Sequence, residues 1–180
     1  MTNEEILAEV FNMEGGFSNR EHDGGGPTNF GITGRVLRAW RRDKGGFVPN
    51  SAEEIELAIK SLTKAEASAI YINRFIEKPR FGDIADDDLR YLVIDMGILH
   101  GRHRTSRWLQ RILKVKVDGI TGSRTIAAIN TKNEQEIREV YKRLLARRYR
   151  GFAEFTKFDS NQLVNLVGWT NRANRFLLLL

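Results

Sequence analysis

The apolar residues of this chain recur at every third or fourth position almost from end to end, and that spacing leaves room for a strand in one place only. Ile6, Leu7, Val10 and Phe11 set a first helix that ends near Met13. Ile32-Thr33-Gly34 opens a second, from Val36 to about Asp43, with Thr33 as its N-cap and Gly45-Gly46 as its stop. Ser51 with Glu54, and Thr63 with Glu66, have the spacing of capping boxes, each ahead of an apolar-periodic run. Three aspartates at 86–88 suit the positive end of the next helix, Leu89 to Leu99, in which Ile94 and Met96 are expected in the core. Gly101 breaks that helix, and Arg104 to Leu113 continues as a basic amphipathic one. VDGITGSRT at 117–125 is a turn into a further helix, Glu134 to Phe155 reads as one long helix, and a last begins after Asp159. The terminal run Arg175 to Leu180 is expected to be the last turn of a core helix. Only the glycine loop at 24–33 has hairpin character, so the predicted class is mainly α with one small β excursion near the N-terminus.

At 180 residues the chain suits one domain, or a domain with a small appended lobe. It has no cysteine, which excludes disulfides, thiolate catalysis and cysteine metal sites. A net charge of +6 favours anionic partners: nucleic acid, a wall polymer or a membrane surface. The N-terminus MTNEEILAEVF is acidic and lacks the apolar core of a signal peptide. No run approaches the roughly 18 apolar residues of a membrane span.

The stretch Met13 to Thr33 reads MEGGFSNREHDGGGPTNFGIT and places one glutamate, Glu14, where the first helix runs into glycines. A carboxylate at a helix C-terminus faces the negative end of the dipole, which disfavours its charged form. Partial burial against Phe17 would act the same way, and a raised pKa is what a general acid needs near neutrality. The glycines allow backbone to approach a ligand closely, and Asp23 lies across the loop. A glutamate and a second polar group across a cleft is the arrangement that cleaves glycosidic bonds. On spacing alone the plainer reading takes precedence: a solvated helix-end glutamate beside a surface loop.

The segment Glu14-Gly15-Gly16-Phe17, Asn19, Asp23, Gly24 to Gly26, Thr28, Gly31-Ile32-Thr33 resembles the signature of glycoside hydrolase family 108. Members are lysozyme-like N-acetylmuramidases of phage endolysins and of bacterial proteins called secretion activators. Downstream, residues 108–130 carry Asp118, Gly119, Gly122 and Thr125, which resemble the D-G-x-x-G-x-x-T turn of the peptidoglycan-binding half that accompanies the family. The resemblance implies a lysozyme-like helical fold. It also implies a catalytic region over 1–85 and a helical peptidoglycan-binding region over 86–180, packed together as one compact unit. It implies Glu14 as catalytic acid, with Asp23 and Thr28 positioning or activating water. Phe17, Asn19, Gly25, Gly31, Asp95 and His100 would form the substrate-binding wall. Thr33 stays an N-cap. Three departures stand out: Arg20-Glu21 replaces Asp-Pro, Phe75-Ile76 replaces Tyr-Trp, and Leu99 stands where many members have Asn.

His100 and His103 are spaced for a metal, but Gly101 breaks the helix and no carboxylate sits at a suitable offset, so no metal and no cofactor are expected. Arg102, Arg104, Arg107 and Arg111 around Trp108 form a basic face, and the element from Asp118 to Asn130 has the outline of a helix-turn-helix. A solvated face attracted to an anionic wall is the preferred reading, with bacterial peptidoglycan as partner and no nucleic acid. The alternatives are a non-hydrolytic basic binding module and, within the enzyme class, a lytic transglycosylase. Trp40, Trp108 and Trp169 are expected mostly in the core, though an exposed one near the cleft could stack on a sugar face. A monomer is expected, made in the cytoplasm, released by a holin-type or other route, and acting in the periplasm or at the wall.

Overall fold

The computed structural model describes residues 1–13, 16–18, 26–158 and 163–179. Its helices are α1 (Asn3–Met13), α2 (Gly34–Asp43), α3 (Ala52–Lys60), α4 (Lys64–Tyr71), α5 (Asp87–His100), α6 (Arg102–Leu113), α7 (Ser123–Asn130), α8 (Glu134–Phe158) and α9 (Leu163–Asn174). A π-turn covers Ile72–Glu77, and 3-10 turns cover Phe81–Asp83 and Arg175–Leu179. The strands β1 (Thr28–Asn29) and β2 (Ile32–Thr33) pair antiparallel. The mainly α, lysozyme-like class holds. The chain divides into two compact units, Glu4–Asn73 and Met1–Asn3 with Arg74–Leu180. The boundary expected at 85/86 falls inside the second, just ahead of α5.

In the first unit the sequence's capping signals do what their chemistry allows. Thr33 Oγ1 accepts from Val36 N at 3.4 Å, and Ser51 with Glu54 closes a full capping box. Thr63 accepts from Glu66 N, but Glu66 does not return the bond. Its carboxylate instead takes both arms of Arg41 at 3.0 Å, which locks α4 to α2. The hairpin turns at Phe30 (φ +50°) and Gly31 (φ +71°), two positive φ values that make a tight primed turn. For phenylalanine that region is costly, and three contacts hold it there. Tyr71 donates its hydroxyl to the Phe30 carbonyl at 3.0 Å. The Phe30 ring meets Phe11 edge-on at 5.9 Å. Beside it, buried Asn29 donates to the Ile59 carbonyl at 3.0 Å.

The second unit is organised around α5. Asp86 caps it by accepting from Leu89 N at 2.8 Å, and every residue from Tyr91 to Gly97 is buried, which marks a helix covered on all sides. Gly97 gives the Phe81 ring its place: a Cβ there would stand 2.8 Å from Cε2. Ile94 and Met96 are fully enclosed. So is Asp95, whose carboxylate receives Arg172 of α9 (Nε at 2.8 Å, Nη2 at 2.6 Å) and Arg148 of α8 (Nη2 at 2.5 Å). Two cations on one anion leave an excess positive charge in the interior, part of which rests on aromatic faces. The Arg148 guanidinium lies 4.8 Å from the Phe176 ring centre and 5.8 Å from Phe152. Burial lowers the Arg148 pKa from its ordinary value, against the pull of Asp95.

The terminal run departs from expectation. Phe176 is buried and its carbonyl accepts from Tyr141 at 2.8 Å, but the backbone tightens to 3-10 and Leu177, Leu178 and Leu179 are exposed. Of the tryptophans only Trp108 is fully in the core, while Trp40 and Trp169 are half-buried. Asp95→Ala would strand Arg148 and Arg172 as buried charges without a counter-ion. It should cost about 3–5 kcal/mol of unfolding free energy, read by urea denaturation. A loss of wall binding without loss of stability would return Asp95 to a direct role.

Candidate functional site

Of the residues singled out near the N-terminus, Glu14, Gly15, Asn19, Asp23, Gly24 and Gly25 lie outside the described residues. α1 runs to Met13. Ser18 and Thr28 exchange two backbone hydrogen bonds of 2.8 Å, which closes the base of the segment between them. Thr28 is also paired with Thr33 on its other side, so its backbone is fixed from both directions. Phe17 is 41% exposed, with Lys60 Nζ 5.3 Å from its ring centre. Gly31 sits in the left-handed turn at the hairpin tip.

The other two positions lie in the second unit. Asp95 is sealed between its arginines and faces no solvent, so any contact with a polymer would have to pass through the side chains that cover it. This corrects its expected place in an open binding wall. His100, at the end of α5, borders a cavity of about 280 Å³ with Leu99, Arg104, Phe152, Phe155 and Trp169. Phe152 stacks on Trp169 (5.7 Å, 24° between planes) and lies 5.0 Å from the imidazole. Trp108 meets the imidazole edge-on at 5.1 Å. Gly151 makes room for both rings, because a Cβ there would be 3.1 Å from Trp108 Cη2 and 3.2 Å from His100 Cε1. The result is an aromatic slot with an arginine on its rim, suited to the apolar face of a sugar or an acetamido methyl.

Burial, then the charges of Arg148 and Arg104, drives the His100 pKa down to about 3. The ring is therefore neutral at physiological pH, and its buried Nε2 has no hydrogen-bond partner among the described residues. His103 instead sets Nδ1 3.1 Å from the Gly119 carbonyl. Among the described residues no group of three or more His, Asp or Glu stands close enough to hold a metal.

The D-G-x-x-G-x-x-T turn is fastened to α6 by a residue that the sequence did not flag. Gln110, almost fully buried, donates to Asp118 Oδ1 at 2.8 Å and to the Ile120 carbonyl at 2.9 Å, and accepts from Gly119 N at 2.8 Å. Gly119 needs its positive φ of +80°, and Thr121 donates to Ser106 at 2.8 Å. This motif shapes a turn. Phe152 and Phe155 were also missed, since the long helix that carries them shows only helical periodicity, whereas Trp169 was singled out as a tryptophan and stands in the cavity wall.

Residues 7–101 match the family model of Glycosyl hydrolase 108, and residues 104–174 match a Predicted Peptidoglycan domain. The chain belongs to glycosyl hydrolase family 108. Its peptidoglycan segment makes it a peptidoglycan hydrolase in the broad sense. Among solved structures it is similar to SagA of Brucella abortus, at 29% identity over 96% of this chain and 90% of that one, with a TM-score of 0.72. No curated protein matches. The two family segments meet beside Gly101, whose φ of +84° separates α5 from α6.

The His100 shift has a stability consequence. A histidine titrates near 6.5 unfolded, so the unfolded chain takes up the proton first as pH falls. Stability should be intact above pH 6.5 and decline from there towards pH 3. Thermal melts between pH 7 and 4 should show this slope, and His100→Phe should flatten it. An imidazole NMR titration with a midpoint near 6.5 would refute the buried neutral ring.

Proposed function

We propose that this hydrolase is an N-acetylmuramidase, cleaving the β-1,4 bond between N-acetylmuramic acid and N-acetylglucosamine. Glu14 serves as general acid, and Asp23 with Thr28 holds the attacking water. The observation that carries this reading is the family match over residues 7–101, which contains all three residues at the motif's spacing. The two-sided backbone pairing of Thr28 supports it, because a water-holding hydroxyl must be placed to within a fraction of an ångström. Glu14 protonates the departing glycosidic oxygen while water, held by Asp23 and Thr28, attacks the opposite face of the sugar. Such an inverting pair sits about 6.5–9.5 Å apart, against about 5–5.5 Å for a retaining one. The net charge of +6 supports action at an anionic wall or in the periplasm.

Digestion of purified peptidoglycan should release fragments with reducing N-acetylmuramic acid ends, identified by mass spectrometry. Anhydro-muramic ends would mark transglycosylation, and no release would leave a wall-binding module. Glu14→Gln keeps shape and deletes the proton donor, so turnover should fall about 10²-fold or more. Asp23→Ala should damage turnover strongly but less, and Thr28→Ala less again. Near wild-type turnover in the glutamine variant would remove Glu14 from the role.

A further inference from the structure

A second depression, of about 450 Å³, lies between α6 and α8. Arg111 of α6 and Arg143, Arg147 and Arg150 of α8 line it, with Trp108 behind them, and no acidic side chain is among its walls. Arg111 and Arg143 have no acidic partner among the described residues. Arg147 is held by Glu154 through two bonds of 2.7 and 3.1 Å, and Arg150 reaches that glutamate only through its charge. Like charges three and four residues apart on one helix face oppose the helix that carries them. With Arg147 paired to Glu154, three cations still face one groove, and they make structural sense when an anion occupies it.

The choice of arginine narrows the anion. A guanidinium presents a planar fork that pairs with a carboxylate or phosphate through two parallel bonds, which an ammonium cannot do. Arg147 already commits its fork to Glu154 and rests 4.9 Å from the Trp108 ring centre, so the forks open to a ligand are those of Arg111, Arg143 and Arg150. That indole is 4% exposed, so no nucleobase can stack on it as single-strand binders require. The cationic run from Arg143 to Arg150 covers about 10 Å of helix axis, a compact depression and not a track for a duplex. The groove lies wholly within residues 104–174.

We infer that this groove binds the free carboxylates of the peptide stems of peptidoglycan, so that the chain grips its substrate by the peptide as well as by the glycan. The inference rests on peptidoglycan being the substrate. Short stems carry several carboxylates within a few residues, which matches a cluster of forks one helical turn apart.

The test is co-sedimentation of the full chain with purified walls in three forms: native, carboxyl-amidated, and native with excess duplex DNA. Amidation should weaken binding about tenfold or more, the scale of losing two charged hydrogen-bond partners. Arg143→Gln with Arg150→Gln should weaken binding to native walls to the same extent and change nothing further on amidated ones. Both side chains are exposed, so folding should survive, with a melting curve as the check. The matching pair Arg143→Lys with Arg150→Lys should recover only part of the affinity. Equal binding to native and amidated walls, full recovery with lysine, or displacement by DNA would each overturn the inference. If the hydrolase reading alone fails, no reducing ends appear while the amidation contrast persists.

Discussion

One carboxylate between two guanidinium groups determines how the second unit is assembled. Asp95, Arg148 and Arg172 come from α5, α8 and α9, and none of the three is appreciably exposed. The desolvation cost of such a cluster is offset only with all partners in place, which favours the register that joins α5, α8 and α9. That register brings the end of α5 against α6 and α8, and so builds the aromatic slot. The unbalanced positive charge also reaches the slot, where it helps keep His100 neutral. Burial first, and the charge of Arg148 second, thus hold neutral a ring that borders a candidate binding cavity.

The first unit achieves precision by other means. Its hairpin is only two residues wide on each side, too short to be stable alone. It is held from outside through Asn29, Phe30 and Thr33, each attached to a different helix or helix end. Thr28 is carried on this braced element, so a small sheet can place one hydroxyl reproducibly.

Much of this was legible in the sequence because it is local. Thr33, Ser51, Thr63 and Asp86 announce helix starts through bonds to residues three positions on, and the turn at Asp118 announces itself by its glycines. What stayed hidden depends on distance along the chain. Arg172 meets Asp95 across 77 residues, and no periodicity marks that pairing. Arg143, Arg147 and Arg150 carry no local signal within a long helix, and only the fold sets them against Arg111. Glu66 shows the limit of a local rule: its capping spacing is right, yet a distant arginine wins its carboxylate. For the site itself, Glu14 and Asp23 were read by resemblance and lie outside the described residues, whereas Thr28 gained a physical argument from its pairing.

Gly101 separates the two family segments in sequence, yet it is not a seam in the fold. α5 belongs to the first segment, but it is the buried centre of the unit that holds all of the second. A cut there would part Asp95 from both of its arginines and strip the covering from a helix with no polar side to show to water. The segments are therefore not interchangeable cassettes. Neither segment closes an interior of its own at the boundary that the sequence displays, so a protein cut there would have to rebuild its core before it could bind anything.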